Sequence, residues 1–463
     1  MKIGFLATSG LRVCDRRLNA LGLRMPSVMQ RAQAIASLPS LGLLYVAAVT
    51  PPGHSLRYWE AKPEPVEGKT ANGHSELLKA NVPADAFNCD LIAISTLSAQ
   101  AFEAYAMADQ LRAAGVQVAI GGLHASVLPN EALQHADFVI VGEAENVWPE
   151  LVRAVELGTT QRLWLAKDFP PVDVSKLPVP RFDLLGQRAY NRFTVQTSRG
   201  CPWRCDFCAS NVMLGLPYRK RPPADVRRDI EALIQLYRRP FVEFADDNTF
   251  VDKDWGKRLC REIAPLNVQW FTETDASVAD DPELLTAMCE AGCRQVLIGF
   301  ESPDVESLRG VELRADFKAR QSDRNRAAVA RIQSHGIAVN ACFVLGLDGH
   351  APDVFKNTLN FVNETEPFDV QITVLTPFPG TPLHDRLMSE RRIIYPGRWD
   401  LCTLFDVNFV PRNMTPDKLR SGLYWLAERL YNEPAVRLRQ SRFLESLTNL
   451  RRDSSISTKG IWT

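Results

Sequence analysis

The sequence predicts an α/β protein of two successive βα units. An amino-terminal doubly wound sheet is followed by a partial (β/α)6 barrel, open on one side, and by a helical carboxyl-terminal tail. Three observations carry this reading. Short apolar runs alternate with helix-length segments over most of the chain. The alternation is broken once, by Asp168–Arg181, which contains four prolines. The length of 463 residues also exceeds one ordinary core. The expected divisions are residues 1–160, a linker at 161–189, the barrel at 190–392 and the tail at 393–463.

In the first unit, Lys2–Ala7 reads as a strand and Leu41–Val49 as a buried helix. Ser55–Glu60, Leu91–Ser95, Val118–Ile120 and Phe138–Val141 read as further strands, and Ala101–Ala114 has helical spacing. Short, fully apolar strands separated by helices indicate a parallel sheet covered on both faces. Ligands of such sheets sit beyond the carboxyl ends of the strands. Ser95-Thr96-Leu97, Gly121-Gly122 and Gly142-Glu143 fall there.

In the second unit the strands are Phe193–Thr197, Val242–Ala245, Gln269–Thr272, Gln295–Phe300, Ala338–Leu345 and Val370–Leu375. Helical patterns at Val226–Tyr237, Pro282–Ala291 and Arg324–His335 separate them. Six βα repeats suit a partial barrel with its chemistry on loops at the strand carboxyl ends. From about Arg398 the chain reads as helical tail, with Trp399, Phe405 and Trp425 expected either to cover the barrel mouth or, the preferred reading, to complete a core.

Lys+Arg and Asp+Glu both total 54, so no broad basic field is present for a nucleic-acid backbone. The basic stretch Tyr218-Arg219-Lys220-Arg221, with Arg227 and Arg228, reads as a solvated loop and helix face. Its sharper alternative is contact with an anionic ligand. The amino terminus lacks the pattern of a secretory signal, and Leu41–Val49 is too short to span a bilayer. Ten cysteines without such a signal point to a reducing cytoplasm.

Three of those cysteines have metal-like spacing. Cys201, Cys205 and Cys208 form CxxxCxxC directly after a predicted strand, on the functional face. Ten cysteines scattered at random would give this spacing about 0.005 times in a chain this long. Three thiolates from one short loop can bind three corners of a four-iron cluster and leave one iron open to a chelating ligand. Gly200 permits the tight turn into the loop, and Trp203 and Phe207 suit shielding from water. A structural zinc site needs a fourth ligand, and the nearest histidines, His135 and His335, are remote in sequence. Cys289 and Cys293, around a helix end, read as core, as do Cys14, Cys89, Cys260, Cys342 and Cys402.

This loop after a first barrel strand resembles the signature of the radical S-adenosylmethionine (SAM) superfamily, and the resemblance extends over nearly all of residues 190–390. It implies a [4Fe-4S] cluster that donates one electron to bound SAM, giving methionine and a 5′-deoxyadenosyl radical. The cofactor then supplies the hard chemistry and the protein the positioning. The resemblance also places Phe207 near the adenine. Asp246-Asp247-Asn248 stands where the family carries a Gly-Gly-Glu-like motif for the SAM amino group, from which this sequence departs. Asp246 and Asp247 are candidates there, with a solvated turn or helix cap as the bland reading. Glu273 and Asp275 end the third strand; Glu301, ending the fourth, is the preferred candidate for the ribose hydroxyls. Gly346 after the fifth strand offers either close approach of the adenine or simple packing.

A doubly wound, Rossmann-like unit ahead of such a barrel resembles the cobalamin-binding class of the superfamily. Ser95-Thr96-Leu97 matches its Ser-x-Leu element, and Gly121 and Gly122 match its paired glycines, which line a slot for the dimethylbenzimidazole tail. The Asp-x-His-x-x-Gly element that supplies a cobalt ligand elsewhere is absent, and His124 reads as a polar loop residue. The resemblance implies a cobalamin-dependent methyltransferase of a small-molecule or peptide substrate, using one SAM for the methyl group and a second for the radical. A one-electron donor such as flavodoxin or ferredoxin is expected, with no nucleic acid and no membrane span. Two alternatives stay open: a radical SAM cyclisation, rearrangement or oxidation enzyme, and a non-catalytic corrinoid or iron–sulfur carrier. Methylthiotransferases of transfer RNA do not fit, because only Cys14 and Cys89 precede Cys201.

Overall fold

A computed structural model describes residues 1–8, 10, 12–25, 38–61, 81–186, 190–210 and 217–453. Apolar runs bounded by turn residues form β1 (Lys2–Thr8), β2 (Ser55–Ala61), β3 (Leu91–Ser95), β4 (Gln117–Gly121), β5 (Phe138–Val141) and β6 (Leu163–Leu165). They pair in the order β2-β1-β3-β4-β5-β6, all parallel. Successive side chains point to opposite faces, and both faces are buried. Phe5, Leu91, Ala93 and Ile140 join the helices Leu41–Ala48 and Trp148–Glu156 in one core, whereas Leu6, Ile92, Ile94 and Ile120 pack with the helix Ala101–Ala113. The strand order reverses between β1 and β3, which opens a crevice at the carboxyl edge.

β6 lies inside the stretch expected to be linker, because a three-residue strand is too short to show periodicity. Residues 187–189, at the end of that stretch, lie outside the described residues.

The second series is β7 (Phe193–Val195), a short antiparallel ribbon of β8 (Ser198–Arg199) and β9 (Arg219–Lys220), then β10 (Phe241–Phe244), β11 (Gln269–Thr274), β12 (Cys293–Glu301), β13 (Ala338–Leu345) and β14 (Asp369–Val374). β7 and β10 to β14 form a parallel six-stranded sheet in sequence order, with β7 and β14 as its open edges. Val242, Phe244, Val296, Ile298 and Phe300 pack outward onto the helical layer in the main core. At the opposite register Glu243 and Phe271 are paired, as are Glu273 and Leu297. The expected α/β architecture is the one observed.

The tail begins irregularly, with an isolated bridge between Ile393 and Phe409, before the helices Pro416–Leu430 and Glu433–Asp453. Leu419, Leu423, Leu426 and Leu430 are buried in the same core as Phe355, so this helix completes the core. The tail also reaches the first unit: Asp406 accepts the Cys14 N–H at 2.9 Å, and Trp399 Nε1 donates to Glu131 at 3.0 Å. Among the described residues, no helix is long and apolar enough to cross a membrane.

Candidate active site

β8 leads into Gly200, whose φ of 84° turns the chain into the cysteine loop. The loop is held from the far side of the barrel, where Cys205 bridges to Glu312 and Leu313 N donates to Arg204 O at 2.9 Å. Cys201, Cys205 and Cys208 are half-buried free thiols. They face one another closely enough to interact: Cys205 feels both Cys201 and Cys208. Burial pushes the Cys201 thiol up to about 12, with Asp247 and Cys208 adding to it. Burial raises Cys205 as well. A metal binding here therefore has to displace protons. Three neighbouring thiols on one loop are a donor set that fits three corners of a [4Fe-4S] cluster. Among the described residues, no group of three or more His, Cys, Asp or Glu side chains is arranged around a single-ion site.

Aromatic rings flank the loop. Trp203 stacks on Phe317 with centroids 3.7 Å apart and donates to Asp275 at 3.2 Å. Phe207 is half-buried against the main core.

The candidate carboxylates divide by what they already hold. Asp246 accepts from Thr197 N at 2.8 Å, Ser198 N at 2.9 Å and Thr249 Oγ1 at 2.8 Å, and also from Thr197 Oγ1. Both its oxygens are engaged, by the segment preceding Gly200 and by Thr249, so Asp246 fixes the entry to the cysteine loop. Asp247 remains the candidate; burial raises its carboxyl, against a hydrogen bond from Ser210. Asp275 is taken by Trp203 and by Asn248 Nδ2 at 2.8 Å. Glu273 is pushed up to about 8 by burial and by the surrounding carboxylates Glu243, Asp247, Glu301 and Asp246.

Glu301 sits at a register shift in β12 with φ of 64°, a left-handed backbone that a non-glycine residue adopts only under tertiary constraint. The Glu301 side chain is held by Lys318, which sequence reasoning missed. Its Nζ donates to Glu301 Oε1 at 2.8 Å and to Gly299 O at 2.6 Å. Burial alone would lower the Lys318 ammonium, but Glu301 and Cys205 raise it, so it stays charged beside the cysteine loop. Glu312 was missed as well. It is 1% exposed and accepts backbone N–H groups of Arg204, Arg314, Ala315 and Phe317, tying the loop that carries Lys318 to the loop that carries Cys205.

At Gly346 a Cβ would lie 2.8 Å from Phe409 and 3.0 Å from Leu419, so the bare backbone there admits close packing of the tail. Nearby, His350 Nδ1 accepts from Gly346 N at 3.1 Å and Leu347 N at 3.2 Å, and its Nε2 pairs with Ser302, next to Glu301, at 3.0 Å. Burial depresses this imidazole to about 4 from its ordinary 6.5, against Asp304 and Asp353. Between those values the unfolded chain binds a proton that the fold refuses. Stability should therefore fall as pH drops from about 6.5 to 4, by up to about 3 kcal/mol. Urea midpoints at pH 7.5 and pH 5 check this: His350→Gln should lose less stability between the two than the parent does.

The basic stretch is solvated only in part: Arg227 and Arg228 lie on an exposed helix face, whereas Arg221 is buried, and each of these cations is paired with a carboxylate of the chain. Arg219 pairs with Glu143 at 2.7 Å, Lys220 with Asp252, and Arg221 with Asp229 at 2.6 Å in full burial, while Arg227 and Arg228 pair with Glu231 and Asp225.

At the carboxyl edge of the first sheet lies a cavity of about 300 Å³ whose lining includes Ser95, Gly121 and Gly122. Gly122 has φ of 95°, and a Cβ there would meet Thr96 O at 2.8 Å and Ser95 Oγ at 2.9 Å. At Gly121 such a Cβ would make only an ordinary van der Waals contact, with Ile140 at 3.8 Å. A cradle that a side chain would fill fits the planar tail of a corrinoid. Leu97 does not line the cavity and stands 58% exposed, so the Ser-x-Leu match supplies only its serine to that wall. His124 is fully buried between Ser98 at 3.1 Å and Glu131 at 3.2 Å and is likewise absent from the lining. Gln196, Arg199 and Ala245 of the second unit complete the wall, so one cavity touches both the first sheet and the approach to the cysteine loop.

Residues 195–362 match the family described as radical SAM superfamily, and residues 31–152 match the B12 binding domain. An uncharacterized methyltransferase of Synechocystis sp. is 31% identical over 393 residues, covering 82% of this chain and 68% of that one. The bacteriochlorophyllide d C-12(1)-methyltransferase of Chlorobaculum tepidum is 27% identical, covering 77% of each. In fold, the chain is similar to the cobalamin-dependent SAM radical enzyme OxsB, with a TM-score of 0.64 at 14% identity, covering 97% of this chain and 71% of that one.

Proposed function

Since this chain belongs to the radical SAM superfamily and carries its B12-binding domain, we propose that it is a methyltransferase acting on an unactivated centre of a small-molecule substrate. The observation that carries this reading is the shared cavity, lined by Ser95, Gly121 and Gly122 on one side and by Gln196, Arg199 and Ala245 on the other. Methyl transfer from a corrinoid to a radical needs the two cofactors to meet at one place. A non-catalytic carrier has no use for that meeting point. When bound, the [4Fe-4S] cluster with SAM supplies one-electron cleavage to a carbon radical, and cobalamin supplies the methyl group.

The chain's residues divide the remaining work. Cys201, Cys205 and Cys208 hold the cluster, and Phe207 lies against the adenine. Asp247 and Glu301 serve the polar groups of SAM, with Glu301 aimed by Lys318. Ser95, Gly121 and Gly122 receive the cobalamin tail. Asp246 and Glu312 hold the cysteine loop in place through its backbone. A one-electron donor of the flavodoxin or ferredoxin kind would deliver electrons at the loop. All ten cysteines are free thiols, which supports a cytoplasmic setting.

The test is to purify the protein anaerobically, rebuild its cluster, and add hydroxocobalamin, SAM and a strong reductant. SAM products are then quantified by mass spectrometry. S-adenosylhomocysteine and 5′-deoxyadenosine are both expected, the first depending on cobalamin. Deoxyadenosine alone, indifferent to cobalamin, would overturn methylation in favour of cyclisation, rearrangement or oxidation. Neither product, with an intact cluster, would favour the carrier.

A further inference from the structure

Arg199 occupies a position that no motif assigns. It lines the cavity, it ends β8, and it is separated from Cys201 only by Gly200. It is 5% exposed, and its guanidinium reaches across to the first unit, where Nη1 donates to Glu143 at 2.7 Å and Nη2 to Glu145 at 2.7 Å. Both carboxylates follow Gly142, at the carboxyl end of β5, and both line the same cavity. Arg219 completes the group, donating to Glu143 at 2.7 Å and 2.9 Å. Burial would raise the Glu143 carboxyl, but the two guanidiniums hold it below its ordinary range, so the pairs stay ionised.

Two arginines facing two glutamates leave the group neutral, and withdrawing Arg199 takes from the buried Glu145 the guanidinium that holds it. The group is therefore stiff. The residues before Arg199 are equally committed: Arg221 donates to Gln196 O at 2.9 Å, and Thr197 and Ser198 donate to Asp246. A displacement of the cavity wall at Glu143 or Glu145 has no slack to absorb it before Cys201.

We infer that Arg199 is a positioning residue that couples the corrinoid cavity to the cysteine loop through Glu143 and Glu145, so that filling the cavity changes how the cluster site binds SAM. This rests on the function proposed above. Coupling between two ligands is reciprocal. Cobalamin should tighten SAM binding by about five-fold or more, and SAM should tighten cobalamin binding by the same factor.

The measurement is SAM affinity by anaerobic equilibrium dialysis of the cluster-loaded, full-length protein, with and without saturating hydroxocobalamin. The electron paramagnetic resonance spectrum of the reduced cluster is recorded in each state. In Arg199→Met the ratio of the two affinities should fall to near one, whatever each affinity becomes, and cobalamin should no longer alter the cluster spectrum. Arg199→Lys should restore part of the ratio. If Arg199→Met does not fold, Glu145→Gln carries the test, since Arg199 then keeps Glu143 and Gln196; its ratio should lie between parent and unity. An interface that merely holds the units together would leave the ratio at the parent value in every folded variant, and that result overturns the inference. A parent that binds both ligands with no coupling overturns it too, while leaving the methyltransferase reading intact. A parent that binds no cobalamin brings down both.

Discussion

Cys205→Ser is expected to lose the bound cluster and with it SAM cleavage. Of the three thiols, Cys205 is the one fixed in a backbone bridge, opposite Glu312, and it lies nearest the Lys318 charge in effect. Its sulfur position is therefore set by the barrel as well as by the loop. Losing an outer partner of a metal ligand typically costs about 10–100-fold, so losing the ligand itself should cost more than about 100-fold in 5′-deoxyadenosine formation. Iron and sulfide content should fall in parallel. Cys289→Ser is the control: this half-buried thiol lies at the end of the helix Pro282–Glu290, and its replacement should leave iron content unchanged. A Cys205→Ser protein that kept its cluster and its cleavage rate would remove the CxxxCxxC loop from the chemistry altogether.

The second large effect separates the cavity from the fold that surrounds it. Gly121→Leu should abolish cobalamin binding with little loss of stability, because its Cβ makes an ordinary contact with Ile140 at 3.8 Å and the rest of the side chain enters the cavity that Gly121 lines. A drop of about 100-fold in affinity, roughly 2.7 kcal/mol, is the minimum expected from filling that slot. Gly122→Ala should behave differently. Its Cβ would press on the Thr96 backbone at 2.8 Å and 2.9 Å, and its φ of 95° disfavours any side chain, so it should lower both cobalamin affinity and the melting temperature. Cobalamin titrated by its visible spectrum, with thermal melts alongside, distinguishes the two variants. In both, the cluster should still assemble, since the cysteine loop belongs to the other sheet. Normal cobalamin binding by Gly121→Leu would mean that the slot lies elsewhere.

Strands such as Leu91–Ser95, Phe138–Val141 and Ala338–Leu345 were legible to the residue, because largely apolar runs of strand length between turn signals have few other uses. The cysteine loop was legible because its spacing is itself the chemical requirement. What lay beyond reach has a common cause. Glu312 holds the loop from 108 residues away through the Arg204 backbone N–H, which no side-chain motif encodes, and Lys318 finds Glu301 and Gly299 O only once the end of β12 is folded. Leu97 and Gly346 were only half legible, for the opposite reason. A motif match identifies a loop, but the direction in which Leu97 points and the arrival of Phe409 beside Gly346 are decided by packing. Asp246 has the right residue type in the right loop, yet four donors from Thr197, Ser198 and Thr249 claim it first.

The ties between the tail and the first unit have a consequence for how the protein is made. Cys14 and its partner Asp406 are 392 positions apart, and ribosomes add roughly 5–20 residues per second, so about 20–80 s separate their synthesis. Glu131 likewise waits 268 positions for Trp399. The first sheet is complete at Leu165, long before either partner exists. Throughout that interval the nascent chain must keep its amino-terminal sheet intact on local packing alone, and slower translation of the second half lengthens its exposure to proteases and to other nascent chains.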